Sequence, residues 1–105
     1  STRRAPMPAY VIADVKVSDP EQYTQYMALS PGAIAAAGGR FVVRGGRHET
    51  LEGAWQPNRL VVIEFPSYDA AKAFYDSEKY REARDKRAGA TEFFNMVVVD
   101  GVPVA

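Results

Sequence analysis

Cysteine is absent from the sequence, which excludes disulfide bonds, thiol nucleophiles and cysteine-ligated metals. Histidine occurs once, at His48, and no spacing of histidine and acidic residues matches a known metal-ligand motif. We therefore expect no bound metal and no other cofactor. Net charge is also lacking, because 13 basic residues balance 13 acidic ones. A neutral chain offers no general attraction to phosphate backbones, so we expect no nucleic acid partner.

Long apolar runs are missing as well. No segment approaches the roughly 18 apolar residues that a membrane-spanning helix needs, so we expect no membrane partner. The first ten residues contain two arginines but no apolar stretch, and they are not a secretory signal. We interpret residues 1–7 as a short native arm or as the remnant of an expression tag. In the second case Met7 would be the natural start. We expect a cytoplasmic location, with which the absence of cysteine is compatible.

Residues 8–105 have the size and composition of one globular domain. The chain has 105 residues, of which 47% are hydrophobic and 25% are charged. A domain of this size buries only roughly 60–70% of the surface that its unfolded chain exposes. Pairing with a second copy would therefore help to stabilise it.

Four segments rich in β-branched and aromatic residues predict strands. They are residues 9–17, 40–46, 59–65 and 91–101. A first helix follows strand one, capped by Ser18 or Asp19 and interrupted at Pro31 and Gly32. A second helical stretch over residues 67–89 divides into two pieces near Ser77.

The resulting order, β-α-β-β-α-β, predicts an α+β protein of the ferredoxin-like type. Right-handed crossovers give a four-stranded antiparallel sheet in the order 4-1-3-2, with the helices on one face. The long polar loop between strands two and three, residues 47–58, is long enough to suggest a binding role.

Alternation along the strands separates two faces of this sheet. One set of side chains contains no polar residue, and we expect it to pack under the helices. The other set is mostly apolar but includes Asp14, Arg44, Glu64 and Asn95. A bare apolar face usually marks an interface, so we expect a homodimer that buries it. Glu64 would then lie in a partly dry space, where a carboxylate must be paired, hydrogen-bonded or protonated.

Several longer motifs resemble a known family. They are PGAIAAAGGRFVVRGG, LEG and RLVVIEFPSYDAAKAFYDSEKY, followed by Arg87. Together they are similar to the family called domain of unknown function thirteen-thirty, over nearly the whole chain. The resemblance implies a dimeric α/β barrel, in which two ferredoxin-like sheets pack face to face. The family has no established activity, so the resemblance implies a fold and not a reaction. Positions that match its pattern are Arg44, Glu64, Tyr75, Tyr80 and Arg87.

Two residues are candidates for proton transfer. Glu64 could act as a general base if it is desolvated, or it could be a structural acid paired with an arginine across the dimer. His48 could shuttle a proton at the rim of the long loop, or it could simply be solvated.

The remaining candidates would bind a substrate. Arg44 could hold a carboxylate with its planar guanidinium, or it could pair with a nearby glutamate. Tyr75 and Tyr80 could direct their hydroxyls into a pocket between helix and sheet, or they could close the helix ends. Arg87 is included because it matches the family pattern, and Tyr10 because the antiparallel order places it near Glu64.

Two functional hypotheses follow. The protein is either an enzyme that acts on a small apolar or carboxylated metabolite by proton transfer without a bound metal, or a non-catalytic module that binds a small molecule or another protein. Polar groups set into an apolar lining are typical of a ligand pocket. The residues leave both hypotheses open.

Overall fold

The computed structural model of the protein describes residues 7–104, and the predicted N-terminal arm lies outside these residues apart from Met7. The elements follow the predicted order, with the second helix divided in two. They are β1 (Ala9–Val17), α1 (Pro20–Ala36), β2 (Arg40–Arg44), β3 (Arg59–Phe65), α2 (Tyr68–Asp76), α3 (Glu78–Arg87) and β4 (Thr91–Asp100).

The strands form one antiparallel sheet in the order β2-β3-β1-β4, which is the predicted order read from the other edge. One face, here called the covered face, packs against the helices in a single hydrophobic core. From the sheet this core includes Val11, Val15 and Ile63, and from the helices it includes Tyr26 and Phe74. The prediction of an α+β, ferredoxin-like fold is confirmed.

None of the helices in residues 7–104 packs on the opposite face of the sheet, here called the open face. The molecule measures only 17 Å across its shortest axis, which suits one sheet and one layer of helices. Apolar side chains on the open face remain partly exposed, and Val97 and Val99 are 59% and 46% exposed.

Helix α1 is continuous, so the predicted interruption at Pro31 and Gly32 is wrong. Asp19 caps the helix by accepting a hydrogen bond from the Gln22 backbone N–H at 3.1 Å. Pro31 lies inside the helix, where a proline removes one backbone hydrogen bond. Buried Ser30 and Ile34 on the same stretch hold this turn against the core, so tertiary packing maintains the helix.

Ser77 divides the second helical region, as predicted. Its backbone is extended, with φ −70° and ψ 153°, which ends α2. Its hydroxyl then accepts a hydrogen bond from the Tyr80 backbone N–H at 3.2 Å and so caps α3. One residue therefore ends one helix and begins the next.

A β-bulge in β2 corrects the predicted placement of Arg44. Phe41 lies opposite Ile63, but Val43 rather than Val42 lies opposite Val62, so β2 contains one extra residue. The bulge moves Val43 to the open face and turns Arg44 to the covered face, opposite Val61. The prediction that Arg44 lies on the open face is wrong, because strict alternation assumes a strand without a bulge.

Gly39 follows α1 where the chain passes closest to the core. A Cβ atom there would come within 2.6 Å of the Phe65 ring and 2.9 Å of the Ile34 Cγ2 atom. We predict that Gly39→Ala lowers the free energy of unfolding by about 1–3 kcal/mol, because Phe65 is only 1% exposed and has no room to move. Urea denaturation measures this change.

Gly32→Ala is the matched control. A Cβ atom at Gly32 meets nothing within 4 Å, and the residue lies inside α1. We expect unchanged stability or a gain of up to about 1 kcal/mol from helix propensity. Equal stability of the Gly39→Ala variant and the unmodified protein would contradict the packing described here.

Candidate functional site

A cleft of about 260 Å³, here called the first cleft, opens between the helices and the sheet. Its walls combine residues of β1, α2 and β4 with the last residue of α3. The lining residues are Val11, Ala71, Lys72, Tyr75, Arg87, Phe94, Met96, Val97 and Val98. The lining is mostly apolar, and its charged members, Lys72 and Arg87, are both cations.

Arg87 ends α3 and extends over the aromatic wall of the first cleft. The centre of its guanidinium lies 3.7 Å from the centroid of the Phe94 ring and 5.2 Å from that of Tyr26. Its Nε atom is buried and has no hydrogen-bond partner among residues 7–104. The guanidinium is therefore held by aromatic rings and keeps an unused donor.

Tyr75 and Tyr80, which the sequence pairs as candidates, have different environments. Tyr75 lines the first cleft, is 38% exposed and lies below the guanidinium of Arg84 at 4.3 Å. Tyr80 is fully buried, and its hydroxyl forms a 2.7 Å hydrogen bond with the hydroxyl of Tyr26. Of the two, Tyr75 alone is positioned to contact a molecule in the first cleft.

A second, smaller cleft of about 30 Å³ lies under α1. Arg44, Arg59 and Tyr23 line it, and it shares Phe94 and Met96 with the first cleft. Burial raises the pKa of Tyr23, and the charges of Arg59, Arg87 and Arg44 oppose this shift. Three arginines therefore lie close enough to act on one phenol.

Glu64 and Tyr10 face the opposite side of the sheet from both clefts. Tyr10 lies opposite Glu64 in the strand register and donates a 3.0 Å hydrogen bond to its Oε2 atom. This hydrogen bond raises the pKa of Tyr10. Arg40 donates from Nε to Oε1 of Glu64, also at 3.0 Å. Both carboxylate oxygens of Glu64 thus have partners within one chain.

His48 lies in the exposed loop between β2 and β3. Its ring nitrogens approach the carbonyl oxygens of Pro57, at 2.9 Å, and of Gly46, at 3.3 Å. The same loop is attached to the open face by Asp14, which accepts from the Trp55 indole N–H at 3.1 Å. His48 therefore lines neither the first nor the second cleft.

The structure thus divides the predicted site residues among five places. Tyr75 and Arg87 meet in the first cleft, Arg44 lies in the second, and Tyr80 is in the core. Glu64 and Tyr10 form a pair on the open face, while His48 is in the loop.

Sequence reasoning did not single out three of the polar residues that line the clefts. They are Tyr23, Arg59 and Lys72. Lys72 could have been found, since it lies three residues before Tyr75 and so on the same helix face. No sequence signal distinguished Tyr23 from an ordinary core residue, or Arg59 from an ordinary residue at the start of a strand.

Two further findings concern the described part of the chain. Residues 7–104 contain no group of three or more histidine or acidic side chains arranged to hold a metal ion. None of the helices in these residues has both the length and the apolar character required to cross a membrane.

The family model for the domain of unknown function DUF1330 matches residues 8–102. The chain belongs to this family. Its members share a domain without an assigned activity, so membership identifies the type of domain and does not identify a reaction or a ligand. No curated protein matches the sequence.

Solved structures with similar folds include proteins of unknown function. RPA0582 from Rhodopseudomonas palustris has a TM-score of 0.71 and 22% identity, covering 97% of this chain and 86% of that chain. A dimeric ferredoxin-like protein of unknown function from Thermobifida fusca YX has a TM-score of 0.61 and 21% identity, covering 94% of this chain and 95% of that chain.

One similar structure is a named enzyme. SnoaB, a cofactor-independent oxygenase from Streptomyces nogalater, has a TM-score of 0.57 and 13% identity, covering 95% of this chain and 97% of that chain. At this level of identity the likeness shows the ferredoxin-like fold alone.

The buried hydroxyl pair under the clefts predicts a loss of stability at alkaline pH. Burial, together with Tyr80, raises the pKa of Tyr26 well above its usual value of 10.0. Below pH 10 the folded and unfolded chains both keep this proton. Above pH 10 the unfolded chain releases it first, so the free energy of unfolding falls by about 1.4 kcal/mol per pH unit for this group.

Urea denaturation at pH 8 and at several values above pH 10 measures this slope, and Tyr26→Phe is the test variant. The variant loses the hydroxyl pair and is less stable at pH 8 by about 1 kcal/mol. Its stability should fall less steeply above pH 10, because the variant has no Tyr26 hydroxyl to ionise, and the fall that remains comes from the other tyrosines. An identical slope in both proteins would show that Tyr26 does not resist ionisation.

Proposed function

We propose that the protein binds a small, largely apolar organic anion in the first cleft. The observation that carries this proposal is the lining, which combines apolar walls with two cations and no acidic residue. A few polar groups placed in an apolar cleft are typical of a small-molecule site. An anionic ligand would neutralise the charge that the walls leave uncompensated.

The unused Nε–H of Arg87 supports an anion as the ligand. A buried donor without a partner costs free energy, and a carboxylate would supply the missing acceptor. Phe94 holds the guanidinium from one side, which limits the orientations it can adopt. Lys72 and the hydroxyl of Tyr75 are further donors in the same cleft.

The volume of the first cleft limits the size of the ligand. At about 260 Å³ it lies just below the range of about 300–1,000 Å³ typical of sites for drug-sized molecules. A single aromatic ring with one carboxylate fits this limit and matches the aromatic wall at Phe94. Benzoate is therefore a suitable first probe, and benzamide is its uncharged counterpart.

We predict that benzoate stabilises the protein against heat and that benzamide does so much less. A ligand at about 100 times its Kd adds about 2.7 kcal/mol of stability, which raises Tm by roughly 10 °C or more in a domain of this size. Arg87→Gln should raise the Kd for benzoate about tenfold or more, because a charge-assisted hydrogen bond is lost. Calorimetric titration measures the Kd directly.

Arg81→Gln is the matched control, since Arg81 lies on the exposed side of the same helix and outside the first cleft. It removes the same charge and should leave the Kd for benzoate unchanged. Equal effects of the two variants, or equal stabilisation by benzoate and benzamide, would overturn the proposed anion site.

The proposed functional unit is a homodimer joined through the open face, as a dimeric α/β barrel. The apolar residues of this face are Ile12, Val43, Leu60, Val62, Phe93, Val97 and Val99. These residues come from all four strands and lie on the face that the helices leave uncovered, and an exposed apolar face of this kind usually marks an interface. Similar structures described as dimeric and ferredoxin-like support this assembly.

We predict that Val99→Asp weakens the dimer, because it buries an unpaired charge in the proposed interface. Sedimentation velocity over a range of concentrations should show a Kd for dimerisation raised by about tenfold or more. Leu29→Asp, on the helix layer, is the control and should not change this Kd. A monomeric unmodified protein, or equal effects of the two variants, would contradict the interface.

Proton transfer without a metal is the second candidate function. The arrangement that favours it is Glu64, which has Tyr10 and Arg40 as partners on the face that dimerisation would cover. The substrate would then lie on the open face and not in the first cleft, and Glu64 would remove its proton, with His48 as the alternative base and Tyr10 as a binding residue. A bound probe that exchanges a carbon-bound hydrogen for deuterium in heavy water would favour catalysis, and binding without exchange would favour the first candidate.

A further inference from the structure

The bulge in β2 brings Arg44 to the side of the sheet on which Arg59 already lies. Arg44 is turned to the covered face, where its guanidinium stacks over the Phe41 ring with 4.3 Å between centres. Arg59, at the start of β3, lines the same second cleft as Arg44. Bulges are often found where a side chain must be redirected toward a functional site.

Arg59 is held in place by the turn that follows β2. Gly45 adopts a left-handed backbone with φ +69°, and its missing side chain leaves room for the guanidinium. A Cβ atom at Gly45 would overlap the Nη1 atom of Arg59. The Nε atom of Arg59 is buried without a hydrogen-bond partner among residues 7–104.

Neither arginine has a carboxylate partner in the described part of the chain. The ion pairs within residues 7–104 are Lys16 with Glu92 and Arg40 with Glu64. No acidic residue lines the second cleft. Arg44 is exposed and Arg59 is partly buried, and both line the same cleft. Like charges that share a cleft repel one another, and an anion between them would remove this cost.

We propose that the second cleft is an anion-binding site that holds one carboxylate group, or an anion of similar size, between Arg44 and Arg59. Tyr23, which is 5% exposed and lines the same cleft, provides a hydroxyl as an additional donor. The room of about 30 Å³ is enough for about two water molecules, so a whole metabolite is excluded. This inference depends on Arg44 and Arg59 and is independent of the benzoate site at Arg87.

The anion could be free or could be one end of a longer molecule. The two clefts share Phe94 and Met96, so a ligand whose body fills the first cleft could extend its second charged group into the second. The chemistry is the same in both cases, a small planar anion held by guanidinium groups.

Formate is the probe, because it is the smallest carboxylate. Formate is titrated into the protein in place of chloride, so that the ionic strength stays constant. Binding is monitored through the NMR signals of the arginine side-chain Nε–H groups. We expect saturable shifts of the Arg44 and Arg59 signals. Shifts that grow linearly without saturation, or that affect all arginines equally, would overturn the proposal.

Arg44→Gln and Arg59→Gln should each raise the Kd for formate about tenfold or more, since each removes a charge-assisted hydrogen bond. Arg47→Gln is the matched control, because Arg47 is exposed in the adjacent loop. Arg44→Lys keeps the positive charge and should retain part of the affinity for formate. It therefore distinguishes loss of the charge from a folding defect at this position. Unchanged formate binding in both glutamine variants would refute the site.

Competition between formate and terephthalate, an aromatic ring with two carboxylates, separates a free anion from one end of a longer molecule. Displacement of formate by terephthalate indicates one ligand that spans both clefts, whereas simultaneous binding indicates a free anion, and either result requires the anion site. Failure of benzoate to bind would refute the proposed function and leave the formate result intact.

Discussion

Packing of one apolar face of the sheet against the helices is the interaction on which the rest of this structure depends. It buries Val11 and Val15 from β1, Phe65 from β3 and Phe74 from α2, each at most 3% exposed. Because the core uses one face only, the other is left without cover. The covered face supplies the clefts, and the open face supplies the surface available to a second copy.

The clefts occur where this packing is incomplete. Phe94 and Met96 of β4 lie on the covered face but are only partly buried, and both line the two clefts. Aromatic side chains there serve a second purpose, since Phe94 and Phe41 hold the guanidinium groups of Arg87 and Arg44. In the part of the chain that the structure describes, packing and not an acidic partner therefore holds these two cations, which keeps hydrogen-bond donors free for a ligand.

Polar groups of the open face are satisfied in a different way. Glu64 is bonded by Tyr10 and Arg40, and Asp14 accepts from the long loop. Within residues 7–104 the two sides of the sheet thus differ in their charges: the arginines on the covered side have no ion pair, whereas Glu64 on the open side is paired with Arg40. This difference favours the covered side as the place for an anionic ligand.

Membership of the DUF1330 family and the ferredoxin-like fold agree with what the sequence implies about architecture. Four strands, a helix cap at Ser18 or Asp19 and the break near Ser77 could be predicted from local chemistry. Each depends on residues close together in the chain, where alternation, capping and turn preferences are strong. The proximity of Tyr10 and Glu64 could also be predicted from the sequence, because an antiparallel strand order determines which strand ends lie next to each other.

Tertiary structure alone decided the contents of the clefts. The bulge that turns Arg44 to the covered face comes from the pairing of β2 with β3. A run of apolar residues such as Phe41–Val42–Val43 contains no local signal that one of them is the extra residue of a bulge. The continuity of α1 through Pro31 and the separation of Tyr75 from Tyr80 likewise depend on what packs against them. By itself the sequence determined which segments form strands and helices, because those preferences are local. The meeting of arginines from β2, β3 and α3 around one aromatic wall depended on long-range packing, which no local pattern encodes.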